Sequence, residues 1–142
     1  MKLKKKLIKI GGVLLLIVTI GTSIFCYKVN KDNEKALSIV QNGKSKINTE
    51  TNYKKAFEKY LTNVSWNTYK TSEGVRIVGF TGKKHLKDRD NIVTYHIEYI
   101  VNEDNNTFEF YKGNADGINL NAVEILSLTI QAMGSYDSAN NY

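Results

Sequence analysis

The stretch IVTYHIEYIV, residues 92–101, decides the fold class. Val93, Tyr95, Ile97, Tyr99 and Val101 recur at every second position, with Thr94, His96 and Glu98 between them and Ile92 and Ile100 at the ends. Period-two alternation with β-branched and aromatic residues is the pattern of a strand that buries one face. Asn102 to Asn106 (NEDNN) is a turn by composition, and Thr107 to Tyr111 returns as a strand with Phe108 and Phe110 on one side.

Upstream, Trp66–Thr71 and Val75–Phe80 read as a hairpin across Ser72-Glu73-Gly74. Thr81-Gly82 ends the second of these strands, and the polar link Lys83–Asn91 follows. The four strands predict an antiparallel meander with one face needing cover. Helices on either side supply it. Tyr53, Ala56, Phe57, Tyr60, Leu61 and Val64 fall at helical spacing behind a Thr51 or Asn52 cap, opposite Lys54, Lys55, Glu58 and Lys59. A second helix is predicted from about Leu120 to Met133, ending at Gly134. Val123, Leu126, Ile130 and Met133 form its central stripe, broadened by Ala122, Ile125 and Thr129. The expected class is α+β: helix, four-stranded antiparallel meander, helix, with the helices layered on one sheet face.

The N-terminal part is of another kind. Leu7–Tyr27 holds 21 residues and one charge, Lys9, and a helix of that length measures about 30 Å, enough to cross a bilayer core. The chain therefore divides into a basic cytoplasmic stub (1–6), a transmembrane helix (7–27), a stalk or linker (28–52), a small α+β domain (53–133) and a tail (134–142). Of the formal charge of +6, Lys2, Lys4, Lys5, Lys6 and Lys9 carry five units, leaving 15 basic against 14 acidic side chains from Lys28 onward. A near-neutral domain gives no argument for nucleic-acid binding. The lysines instead flank the apolar run, as the positive-inside rule requires for a cytoplasmic N-terminus and an external domain. The alternative is a cleavable signal with Gly21-Thr22-Ser23 as a weak processing site, which would release a secreted protein. Cys26 is the only cysteine, so no internal disulfide forms, and Phe25 before it is too large for a lipidation site.

The run Ala56-Phe57, Trp66, Tyr69, Gly74, Val78, Phe80-Thr81-Gly82 and YIVNEDNNTFEF from Tyr99 to Phe110 resembles a small uncharacterised α+β extracytoplasmic domain of Gram-positive bacteria. That domain often hangs from a membrane segment or follows a zinc ribbon. The resemblance covers Tyr53 to Met133 and implies the helix–meander–helix order and an envelope location, with no assigned activity. A single cysteine forbids the zinc ribbon here, and the basic insertion at Lys83–Arg89 is a further departure.

No sequence pattern marks a catalytic, cofactor or metal site. His85 and His96 lie eleven residues apart without metal-ligand spacing, and neither a G-x-S-x-G elbow nor an S-x-x-K box occurs. Glu98 and Glu109, on neighbouring strands, would suit acid–base work only if a cleft held them together. The densest charge cluster of the domain is Lys83, Lys84, His85, Lys87 and Arg89, placed on an inter-strand loop and diluted by Asp88 and Asp90. Lys83, Lys84, Lys87 and Arg89 are the candidate contacts for an anionic partner, with Tyr111 as a candidate interface residue. The expected partners are the lipid bilayer through residues 7–27 and an envelope protein or wall component, and no cofactor is expected. The function so read is a tethered, non-enzymatic binding or scaffolding module. Its rivals are an envelope enzyme or inhibitor with a site assembled by the fold, and an accessory subunit of a secretion, conjugation or sporulation complex.

Overall fold

Asn52 starts the folding argument on the helical side. In the computed structural model, which describes residues 30–87 and 91–137, its side chain accepts the Lys55 N–H at 2.9 Å and caps α2, Tyr53–Tyr60. The helix ends where Leu61 N–H bonds Phe57 O at 2.8 Å, one turn earlier than the periodicity predicts. Leu61 stays buried as the C-cap, while Val64 belongs to β1, Thr62–Lys70. α1 spans residues 30–41 and α3 is Ala122–Asp137. The remaining strands are β2 (Arg76–Leu86), β3 (Asn91–Asn102), β4 (Thr107–Ala115) and β5 (Ile118–Asn119).

All five strands form one antiparallel sheet in chain order, so the expected meander is present with one strand more. Gly74 at φ +82° closes the first hairpin, where an L side chain would be strained. The second hairpin is longer than predicted. β2 runs on through Lys83, Lys84 and His85 to Leu86, each paired with β3, so most of the presumed polar link is strand. β5 was invisible because two residues carry no period. Asp116 and Gly117 at positive φ turn the chain back so that Ile118 pairs Ala115.

Register sorts the faces as the alternation predicts. Val78, Phe80, Ile97, Tyr99 and Val101 are buried beneath the helices. The rings interlock: Phe80 lies 4.5 Å from Phe57 and 4.9 Å from Trp66, and Tyr53 packs edge-on against Tyr99 and Phe108. Trp66 is thus a core ring rather than a ligand platform.

Two expectations about the helices require correction. The segment 28–52 is expected to be a stalk, but its described part, residues 30–52, contributes to the core: Ala36 and Val40 are fully buried, and Asn48 Nδ2 donates to Met133 O at 3.1 Å. The folded unit accordingly begins at Lys35 rather than Tyr53. α3 buries one flank of the expected stripe, Ile125, Thr129 and Met133, and leaves its centre outside. Ile125, Leu128, Thr129, Ala132 and Met133 are buried, whereas Val123, Leu126 and Ile130 are 75%, 53% and 43% exposed. The helix is apolar on more than one side, so periodicity alone cannot choose the inner one. Its start is a capping box: Asn121 Oδ1 accepts from Val123 and Glu124 N–H, and Glu124 Oε2 accepts from Asn121 N–H. It passes through Gly134 instead of stopping there. The predicted span 7–27 lies outside the described residues, and no described helix is long and apolar enough to cross a membrane.

Candidate functional site

The sheet face away from the helices has no covering element among the described residues and is called the open face. Three cross-strand rows build it: Ser65–Thr81–His96–Asn114, Asn67–Gly79–Glu98–Lys112 and Tyr69–Ile77–Ile100–Glu109. At the centre, a Cβ on Gly79 would stand 2.8 Å from Asn67 Oδ1 and 3.2 Å from Glu98 Cγ, so both side chains would have to shift to admit one. These two side chains close over the glycine.

Polar groups on this face are bonded to one another. Thr81 Oγ1 lies 2.9 Å from His96 Nδ1. The Tyr69 hydroxyl donates to Glu98 Oε2 at 2.8 Å, and Lys112 Nζ sits 3.3 Å from the same oxygen. Burial, then the bond to Glu98, raises the Tyr69 hydroxyl pKa, and the bond to Glu98 raises that of the Lys112 ammonium. Glu98 is therefore held between a phenol and an ammonium, and Glu109 stands opposite Ile100 rather than opposite Glu98. The two carboxylates do not form an acid–base pair across the ladder. Beside His96 and Glu98 the free space is about 60 Å³, room for about two waters. Larger depressions of about 400 and 320 Å³ lie at the sheet end near the Asn102–Asn106 turn and open to solvent. The first has one ionisable side chain, Glu109, in its described lining. Among the described residues no three metal-ligating side chains gather.

The basic cluster is divided by the strand that contains it. Lys83 and His85 project to the open face, and Lys84 points the other way. Lys84 Nζ donates to Tyr60 O at 3.1 Å and lies 3.5 Å above the centre of the Tyr60 ring. A cation there satisfies a terminal carbonyl of α2 and meets the ring's negative face. Burial, with Lys87 nearby, lowers the Lys84 pKa. It is a structural lysine, not a free contact. Lys83 and Lys87 are exposed at the hairpin end, and Arg89 lies outside the described residues. Tyr111 is 46% exposed and occupies a β-bulge, since Tyr99 pairs Phe110 while Glu98 pairs Lys112. Val123, Leu126 and Ile130 form an exposed face on α3, although helical spacing alone assigns them to the core.

No family model, curated protein or solved structure matches this chain.

Proposed function

We propose that this chain is a non-enzymatic binding or scaffolding module, tethered to a Gram-positive-type cell membrane by residues 7–27 and displayed outside the cell. The observation that carries the reading is the open sheet face. Its Thr81–His96 and Tyr69–Glu98–Lys112 groups are fixed to one another, the space beside His96 and Glu98 is too small for a substrate-sized ligand, and the larger depression at Ile100 and Glu109 has a single ionisable side chain in its described lining. Side chains already ordered lose less entropy on contact, which suits docking of a macromolecule. Lys83 and His85 continue this face toward the hairpin end, giving an anionic envelope protein or wall component a basic rim. The lysine-flanked apolar run and the resemblance to a Gram-positive extracytoplasmic domain supply the location.

Crosslinking pull-down of the tagged full-length protein from intact cells tests the reading. A recurring envelope partner is expected with the parent chain and is expected to vanish with Ser65→Arg plus Asn67→Arg, two exposed positions of β1 on the open face. Loss only in Lys83→Gln plus Lys87→Gln would move the contact to the hairpin end. No specific partner in any sample would sink the adaptor reading.

A further inference from the structure

Two features on one side of the fold have no cover among the described residues. One is the outer edge of β4. β5 pairs only Asn114 and Ala115, and Leu120 N–H bonds Gly113 O, so no described strand pairs with the edge from Thr107 to Lys112. A free edge is a template for another strand. The other feature is the α3 stripe of Val123, Leu126 and Ile130. At about 100° per residue these side chains fall within an arc of roughly 60°. Ile125 faces Gly113 of β4, and Gln131 Oε1 accepts from Tyr60 of α2 at 2.6 Å. At the level of Gly113, α3 covers β4 through Ile125, while the C-terminal end of α2 covers β2 through Leu61, which faces Gly82, and its N-terminal end reaches Phe108 of β4 through Tyr53. The stripe, turned away from both α2 and the sheet, therefore lies on the β4 side of the helix layer.

We propose that a second copy of this chain covers both features, pairing β4 antiparallel with β4 across a two-fold axis and bringing the two α3 stripes together above the junction. The charges of β4 are complementary to themselves in this arrangement. β3 counts Phe110 and Tyr111 as one position, so an axis through that bulge sets Glu109 opposite the second copy's Lys112, and Lys112 opposite its Glu109. Both residues lie on the open face, as cross-strand neighbours must. Lys112 is 60% exposed and has donors to spare beyond its contact with Glu98. Tyr111, 46% exposed, falls at the axis, where tyrosine is a favoured interface residue. The α3 stripe is uncharged, so it meets its own copy without like-charge repulsion. An isologous contact uses each feature twice and leaves neither edge nor stripe in water. The surface is separate from the β1 half of the open face, so the proposal stands or falls apart from the partner reading above.

The test uses the full-length chain in native membranes, with Cys26→Ser removing its only thiol. Tyr111→Cys is expected to give a disulfide-linked dimer on mild oxidation, and Asn67→Cys, on the far strand, is not. In detergent, Glu109→Lys is expected to lower the dimer population about tenfold and the exchanged pair Glu109→Lys/Lys112→Glu to restore it, because opposed charges govern register. Leu126→Asp is expected to release monomers that keep the parent's circular-dichroism spectrum, since Leu126 is half exposed in the single chain. A monomeric parent chain overturns the proposal, as does equal crosslinking at both cysteine positions. A dimer indifferent to Glu109→Lys and Leu126→Asp also overturns it and moves self-association to another segment.

Discussion

Val40→Ala asks where the folded unit begins. Val40 is fully exposed to solvent if residues 28–52 are a stalk and fully buried if α1 is part of the core, as its 0% exposure has it. The substitution removes two carbons, worth about 1.6 kcal/mol at roughly 0.8 kcal/mol per buried CH2. The void adds about 1 kcal/mol, taking about 24 cal/mol per Å³ over some 40 Å³. A loss of about 2.5 kcal/mol is a large share of the 5–15 kcal/mol typical of a small domain. With a urea slope of about 1–3 kcal/mol/M, the midpoint should fall by roughly 0.8–2.5 M. Urea unfolding followed by tryptophan fluorescence reads it, because Trp66 is the only tryptophan and packs 4.9 Å from Phe80. Ser38→Ala, at an exposed position of the same helix, should stay within about 0.5 kcal/mol. A Val40→Ala protein within that same margin would refute the reasoning and return residues 28–52 to a stalk.

Other positions give independent checks. Gly113→Ala places a Cβ 3.1 Å from Ile125 Cδ1 and 3.2 Å from the His96 carbonyl oxygen, and the latter is backbone that cannot rotate away. A destabilisation of about 1–3 kcal/mol is expected in the same urea assay. Removing the Asn52 cap with Asn52→Ala should cost about 1 kcal/mol, since the Lys55 N–H loses its acceptor. Alkaline titration followed by tyrosinate absorbance should show a late-ionising group. Burial raises Tyr53, Tyr60, Tyr69 and Tyr95, and raises Tyr99 well above its ordinary value. A raised folded pKa gives stability that is complete below the unfolded tyrosine value near 10 and is lost as pH climbs toward the folded one. Tyr99 alone should contribute a decline of about 1.4 kcal/mol per pH unit in that window. Tyr99→Phe should flatten the slope.

The alternation of residues 92–101 was legible because a strand with one buried face must place apolar groups at every second residue, and the register obeys it. The turns at Gly74 and Asn102–Asn106 were legible for a similar local reason: their backbone geometry selects particular residues. Lys83 to His85 were read as loop because charge masks β-character when neither neighbour is known. Pairing with β3 and the Tyr60 carbonyl overrides composition there. The face of α3 is the sharper case. Both Val123-Leu126-Ile130 and Ile125-Leu128-Ala132 satisfy helical spacing, and only docking over Gly113, where the absent Cβ admits Ile125, selects the second. Ala36 and Val40 belong to the core for the same kind of reason, since two apolar residues in a polar stretch acquire meaning only from the surface they meet. The sequence by itself determined most of the local elements, the buried face of the sheet and the lysine-flanked apolar run, all of which follow from periodicities and charges along the chain. Only the tertiary structure decided where the folded unit starts, which side of α3 is left in water and which lysines remain free. Those outcomes depend on contacts between residues far apart in sequence, and no local pattern encodes them.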